Sequence, residues 1–265
     1  MATVVLVRHG RSTANTAGVL AGRLPGVGLD ERGEEQVSAL AERMAGVRLA
    51  AAVTSPLERC RATAVAAVER TSPVPAILED TALLECDYGT WQGASIKDLA
   101  EEQLWRTVQG QPSAARFPDG ESLVEMSSRV VRAVREHDAR IEAEHGPEAV
   151  WLLVSHGDPL KAVLADALGM HLDLFQRLVV DPASASIVRY THSRPYVLAT
   201  NTTRGDLGWL TPPAASPATH GAATATDDAV IGGGAGVTDR AGSAAQDAGE
   251  GAPDHRSDAS RPAAS

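Results

Sequence analysis

The chain has 265 residues and a formal net charge of −10, so it can bury a sizeable core but has no overall basic field to attract nucleic acid or an anionic membrane surface. No apolar run approaches the length of about 18 residues that a membrane helix needs, and no basic region followed by an apolar run opens the chain, so neither a membrane span nor a signal peptide is predicted. Two cysteines, Cys60 and Cys86, are too few for a disulfide framework and favour the reducing cytoplasm.

Apolar runs and helical patterns alternate along the first part of the chain. Strands are predicted at 4–7, 51–54, 149–156, 184–190 and 195–201, the last two as a hairpin or an adjacent pair. Helices are predicted over 31–44, from the segment SPLER at 55–59 onward, over about 121–145 and over 158–168. Ser55 and Asp158 are candidate N-caps, because such side chains accept hydrogen bonds from the first free N–H groups of a helix. The alternation predicts an α/β domain with a largely parallel sheet.

The composition changes near residue 211. From there to residue 265 the chain is almost wholly Ala, Gly, Pro, Ser, Thr and Asp and has no aromatic residue. Such a segment cannot bury enough apolar surface to offset the entropy lost on ordering. The sequence therefore predicts one domain over residues 1–210 and a disordered tail over 211–265.

Two of the predicted strands end in nearly the same way, with LVRHG at 6–10 and LVSHG at 153–157. Ligands of parallel sheets bind just beyond the carboxyl ends of the strands, so His9 and His156 could meet at one edge of the sheet. A single histidine at a strand end is more often a structural hydrogen-bonding group, and it is the second copy that favours a functional site.

Further motifs surround the two His-Gly pairs. They are RHGRSTAN (8–15), AGRLPGVGLDERG (21–33), TSPLERCRATA (54–64), LLECDYGTWQG (83–93), GES (120–122) and VSHGDPLKAVLADALG (154–169). This ordered set resembles the histidine phosphatase superfamily, also called phosphoglycerate-mutase-like, over about residues 3–200. The resemblance implies an α/β fold of that type, a three-layer αβα sandwich with a mostly parallel central sheet.

The resemblance also implies roles for individual residues. It makes His9 the nucleophile that becomes phosphohistidine and Glu85 the general acid and base. The other implied members of the site hold the phosphoryl oxygens, bind phosphate or line the pocket: Arg8, Arg59, His156, Asn15, Gly22 and Ser12.

Elementary chemistry agrees with these roles. A neutral imidazole is a competent nucleophile at neutral pH, and the planar guanidinium of arginine can donate two hydrogen bonds to a phosphate. Glu85 needs a raised pKa to protonate a leaving alkoxide, and a partly apolar setting near Tyr88 and Trp91 could supply it. From the residues alone, Asp80 and Asp87 remain alternatives to Glu85.

Other titratable side chains have simpler expected places. Cys60 and Cys86 are predicted to be buried, inert thiols. Four histidines outside the motifs are predicted at the surface: His137, His145, His171 and His192. No set of histidines and carboxylates has metal-ligand spacing, so neither a metal nor another cofactor is expected.

The predicted function is hydrolysis of a small phosphorylated metabolite through a phosphohistidine. The alternative is a phosphomutase that returns the phosphoryl group to its product, and a less favoured one is a non-catalytic binder of phosphorylated ligands, which has no need of Glu85. Mutases of the glycolytic type carry a longer insertion after the acid and an acidic residue after RHG, where this chain has Arg11. Segment 94–120 is predicted to roof the pocket, with five candidate readers of the leaving group: Lys97, Trp105, Arg106, Arg116 and Phe117.

Overall fold

A six-stranded sheet forms the centre of the computed structural model, which describes residues 2–211. The strands are β1 (Thr3–Arg8), β2 (Ala51–Thr54), β3 (Ile77–Glu79), β4 (Val150–Ser155), β5 (Ala185–Tyr190) and β6 (Pro195–Thr202). The helices are α1 (Thr13–Ala17), α2 (Glu31–Met44), α3 (Glu58–Val68), α4 (Ile96–Leu99), α5 (Gln103–Gly110), α6 (Leu123–His145) and α7 (Gly157–Ala167). The predicted tail lies, apart from Thr211, outside the described residues.

The strand order across the sheet is β3-β2-β4-β1-β5-β6. The first four strands of that order run parallel, whereas β5 runs antiparallel to β1 and β6 antiparallel to β5. The mostly parallel sheet predicted from the sequence is confirmed, and the last two strands form the expected pair at one edge.

Helices cover both faces of the sheet, and successive side chains of β1 pack alternately against the helices of one face and of the other. Val4 and Leu6 belong to one buried cluster with residues of α6 and α7. Val5 and Val7 belong to a second cluster with residues of α2 and α3. Successive side chains of a strand point to opposite faces, so a continuous apolar run fits a strand buried on both sides. The three-layer αβα arrangement is therefore confirmed.

Three local predictions are wrong. Ser55 does not cap α3, which begins at Glu58 after Leu57 and has no side-chain cap. Asp158 lies inside the first turn of α7, and His156 holds the N-cap position. His137 is buried rather than at the surface, and its Nε2 lies 2.7 Å from Oδ2 of Asp80.

Candidate active site

The sheet topology brings the two His-Gly pairs together. β1 and β4 are parallel neighbours, with Arg8 opposite Ser155, so both strands deliver a histidine at the same edge. The rings of His9 and His156 lie 5.2 Å apart between centroids, in an edge-to-face arrangement. β2 lies on the other side of β4 and leads into α3, which carries Arg59. Three adjacent parallel strands thus assemble the site.

One ring nitrogen of His9 forms a hydrogen bond with the backbone, and the other faces Arg59. Its Nδ1 lies 2.7 Å from the carbonyl oxygen of Gly10, which can only accept, so Nδ1 carries the proton and Nε2 the lone pair. The Nε of Arg59 donates to that Nε2 at 3.3 Å. Burial, followed by the charges of Arg59 and Arg8, lowers the pKa of His9 well below its ordinary value. His9 is therefore neutral at pH 7, with a nucleophilic Nε2.

Two arginine side chains present buried N–H groups without a partner. Arg59 is 2% exposed and donates from Nη2 to the carbonyl of Gly22 at 2.8 Å, while its Nη1 has no partner among residues 2–211. Arg8 donates from Nη1 to the carbonyl of Val180 at 2.7 Å, and its Nε is likewise buried and unpartnered within the described chain. Buried donors are normally satisfied, so these two N–H groups indicate a place for an anion.

Gly22 contributes its backbone carbonyl, which accepts from Nη2 of Arg59. Its φ of +51° lies in the left-handed region, and a Cβ there would lie 2.5 Å from Oε1 of Gln92. Glycine is therefore required where this loop turns to orient Arg59.

His156 is fully buried and uses both ring nitrogens. Nδ1 lies 3.2 Å from Nη2 of Arg59, which can only donate, so Nε2 carries the proton and donates to Oγ of Ser55 at 2.8 Å. Burial and then Arg59 lower the pKa of His156, so the ring is neutral at pH 7. A phosphate dianion bound beside it would raise that pKa. Ser55 was missed as a site residue because its place before a proline resembles a helix cap.

Glu85 is buried at 9% exposure, and its Oε1 accepts from the N–H of Cys86 at 3.0 Å. Burial, followed by the nearby carboxylate of Asp158, raises the pKa of Glu85 to about 7. A carboxyl group with that pKa can both donate and accept a proton near neutral pH. The alternatives Asp80 and Asp87 do not line the pocket that contains Glu85.

A charged network holds the backbone that carries Glu85. Arg23 donates to the carbonyl of Glu85 at 2.8 Å, and Arg129 donates to the carbonyl of Leu84 at 3.1 Å. Glu121 joins the two arginines, because its Oε2 accepts from each of them at 2.9 Å. Glu121 belongs to the GES motif, which was the available signal for this positioning role in the sequence.

The pocket itself has a volume of about 200 Å³. Asn15 lines it, and Oδ1 of Asn15 accepts from the Oγ of Ser12 at 2.9 Å, which leaves the amide NH₂ as a donor. The full lining is Arg8, His9, Ser12, Asn15, Val19, Leu20, Ala21, Gly22, Arg59, Glu85, Tyr88, Ile96, Gly157, Asp158 and Lys161. The implied site residues therefore share one pocket, apart from His156, which lies directly behind His9 and Arg59.

The predicted roof contributes only Ile96 to this lining. Phe117 is instead buried against Tyr88, with ring centroids 4.8 Å apart, and Trp105 stacks on Trp91 at 6.3 Å. Lys97, Arg106 and Arg116 are exposed and do not line the pocket. Besides Arg8, Arg59 and Glu85, two charged side chains of α7 stand on its wall, Asp158 and Lys161, and neither was predicted from the sequence to contact substrate.

The two thiols are buried, as predicted. Cys60 Sγ lies 3.4 Å from Nε2 of His156, and burial raises the pKa of that thiol to about 12. Burial also raises the pKa of Cys86. Both thiols are therefore protonated and poor nucleophiles at neutral pH.

A larger groove of about 580 Å³ lies on α6 and includes Asp166 of α7, but none of the implied site residues lines it. Within residues 2–211 no cluster of three or more His, Cys, Asp or Glu side chains is placed to hold a metal ion. None of the helices in that range is both long and apolar enough to span a membrane.

The chain is similar to known proteins of one family. Residues 4–203 match the model of the histidine phosphatase superfamily (branch 1). Phosphoserine phosphatase 1 of Hydrogenobacter thermophilus is 32% identical over 77% of this chain and 93% of that protein. A protein of Photorhabdus laumondii named probable phosphoglycerate mutase is 34% identical over 81% of this chain and 97% of its own length.

A solved structure gives the same result. The mycobacterial glucosyl-3-phosphoglycerate phosphatase in complex with VO3 superimposes with a TM-score of 0.67, at 26% identity, over 75% of this chain and 98% of that one. The chain therefore belongs to branch 1 of the histidine phosphatase superfamily and is a phosphatase of that type.

Proposed function

We propose that the chain hydrolyses phosphomonoesters of small metabolites through a phosphohistidine formed on His9. One observation carries this proposal: the neutral Nε2 of His9 lies 3.3 Å from Nε of Arg59, whose Nη1 is a buried donor without a partner in the described chain. A nucleophile and an unsatisfied anion clamp in contact are what phosphoryl transfer requires. The phosphoserine named for one relative is a candidate substrate.

The first step transfers the phosphoryl group to the enzyme. The lone pair of His9 Nε2 forms the P–N bond as the ester P–O bond breaks. Arg8 and Arg59 stabilise the charge on the equatorial oxygens, and His156 supports Arg59, whose Nη2 donates to its Nδ1 at 3.2 Å. The protonated Glu85 gives its proton to the leaving alkoxide, so the product leaves as an alcohol.

The second step regenerates the enzyme. Glu85, now a carboxylate, takes a proton from water as the water oxygen attacks phosphorus and the P–N bond breaks. Inorganic phosphate leaves, and His9 returns to its neutral form with Nδ1 still donating to the carbonyl of Gly10. Cationic side chains supply the positive charge in both steps, so no metal is required by this mechanism.

A phosphomutase is the second candidate, since one relative is named as a mutase. It would share the first step and then return the phosphoryl group to a hydroxyl of the bound product instead of water. Release of inorganic phosphate that matches the loss of substrate supports hydrolysis, whereas a phosphorylated isomer with little free phosphate supports the mutase.

A cytoplasmic location stays a prediction from the unpaired cysteines.

The decisive test uses His9→Ala. Acid quenching during turnover should trap acid-labile phosphate on the wild-type chain and none on the variant, and the variant should lose turnover while its far-UV circular dichroism stays native. His145→Ala is the matched control, because His145 is exposed and outside the pocket. Labile phosphate that persists in His9→Ala would show that the nucleophile is another residue.

A further inference from the structure

Two charged side chains of α7 line the pocket without a part in the transfer steps above. They are Asp158 and Lys161, three residues apart in the first turns of the helix. Residues at this spacing are neighbours on one helix face, with about 5–6 Å between their Cβ atoms. One small ligand can therefore contact both.

Asp158 places a carboxylate in a pocket whose unpartnered arginine N–H groups favour an anion. Its Oδ2 accepts from the hydroxyl of Tyr88 at 2.8 Å, and no cationic side chain of residues 2–211 pairs with it. A carboxylate here repels the phosphate and also opposes ionisation of Glu85. The helix N-terminus offsets part of that cost. A cationic group on the substrate would be attracted to Asp158 and would offset the repulsion between Asp158 and the phosphate. The second oxygen of Asp158 is available to accept a hydrogen bond from that group.

Lys161 places an ammonium group on the same wall of the pocket, and no carboxylate of residues 2–211 forms an ion pair with it. Its Nζ donates to the neutral amide oxygen of Gln176 at 2.9 Å and lies 5.8 Å from the ring centroid of Phe175. No carboxylate in the described part of the chain lies within ion-pair distance of it. An ammonium group carries three donors, so Lys161 keeps donors for an anionic group of the ligand.

The rest of the pocket limits the size of that ligand. Its volume of about 200 Å³ is below the range of about 300–1,000 Å³ that is usual for drug-sized ligands. The lining outside the phosphate clamp and α7 is mainly uncharged, with Val19, Leu20, Ala21 and Ile96. The pocket therefore offers one carboxylate, that of Asp158, and one ammonium group, that of Lys161, to a small leaving group.

We propose that Asp158 and Lys161 recognise the ammonium and the carboxylate of one leaving group, so that the substrate class is the O-phosphate of a hydroxy α-amino acid. This inference rests on the proposed phosphatase function and adds its specificity. In such a substrate both charged groups sit on one carbon, close enough to reach two neighbouring side chains of one helix. The phosphate at the other end meets Arg8 and Arg59.

The test compares O-phosphoserine with two analogues, each of which lacks one of its two charged groups. O-phosphoserine carries both groups, 3-phosphoglycerate replaces the ammonium with a hydroxyl, and phosphoethanolamine lacks the carboxylate. The wild-type kcat/KM should be highest for O-phosphoserine, by about 10- to 100-fold over either analogue, which is the scale of one charge-assisted hydrogen bond. Asp158→Asn should reduce the preference over 3-phosphoglycerate, and Lys161→Met should reduce the preference over phosphoethanolamine.

Lys97→Met and Asp98→Asn on α4 are the matched controls, since both side chains are exposed and outside the pocket lining. Both controls should keep the wild-type order of the three substrates. If Asp158→Asn changes all three substrates equally, Asp158 acts through Glu85 or the helix and the inference fails. It fails as well if either control reproduces the loss of preference.

Failure of the proposed function gives a different result, because 4-nitrophenyl phosphate would then not be hydrolysed. Hydrolysis of that ester with equal kcat/KM for the three metabolites rejects the inference alone. Calorimetric binding of the three metabolites to His9→Ala repeats the comparison without turnover. A preference for O-phosphoserine that Asp158→Asn and Lys161→Met remove from this background supports the inference even if hydrolysis fails.

Discussion

Replacing Glu85 with glutamine keeps the size and one hydrogen-bond acceptor of the side chain but removes its titratable proton. An alkyl leaving group needs that proton, and general acid catalysis contributes about 10²–10⁴-fold. We therefore expect Glu85→Gln to lose that factor in the rate of His9 phosphorylation with an alkyl phosphate. A nitrophenyl phosphate has a good leaving group, so its burst should slow by much less.

The pH dependence follows from the raised pKa of Glu85. With a pKa of about 7, the acid form dominates below that pH and is depleted above it. The wild-type burst with an alkyl phosphate should thus fall as pH rises through about 7, and Glu85→Gln should show no such fall. His9 stays neutral over this range, since its own pKa lies well below 6.5.

The same shift changes the free energy of unfolding. Raising the pKa of Glu85 from 4.5 to about 7 corresponds to about 3 kcal/mol. Because the folded chain holds the proton more tightly, this stabilisation is complete below pH 4.5 and is lost as pH rises through about 7. Glu85→Gln should lack this loss in urea unfolding, whereas Glu101→Gln, an exposed control, should keep it.

The assay is rapid-quench measurement of the burst with both leaving groups, alongside urea unfolding between pH 4.5 and 8. An equal loss for the alkyl and the nitrophenyl ester in the burst itself would refute the reasoning. An unchanged fall in stability between those pH values in Glu85→Gln would refute the assignment of the raised pKa to this residue.

Three further outcomes are expected. Glu121→Gln should lower kcat for an alkyl phosphate more than for a nitrophenyl phosphate, with little change in KM, because Arg23 and Arg129 would then hold the backbone of Glu85 less well. Equal losses of kcat for the two esters would contradict a positioning role. EDTA should leave activity unchanged, and a large loss restored by one divalent ion would overturn the metal-free mechanism. Truncation after Thr211 should leave kcat and Tm nearly unchanged, because the removed segment is poor in large apolar residues. A drop of several degrees in Tm would show that it packs.

Local signals predicted most elements of the fold. Helix α2 spans the predicted residues 31–44, and β2 spans 51–54, both with the predicted bounds. Helical and strand periodicity, with the capping of helix ends, act over a few neighbouring residues, so they can be recognised in a linear sequence. The ordered motifs likewise indicated His9, Arg59 and Glu85 and the superfamily to which the chain belongs.

Tertiary structure alone decided how those residues are used. Ser55 looks like a cap before a proline, yet it lies 2.8 Å from the ring of His156, a residue 101 positions away. Lys161 looks like any helix lysine, but the packing of α7 beside β1 places it on the pocket wall next to Asp158. The predicted roof residues Trp105 and Phe117 pack against other aromatic rings instead. Contacts between strands and helices distant in sequence set the donors, the burial and therefore the pKa values of the site, and none of these is encoded in a local pattern.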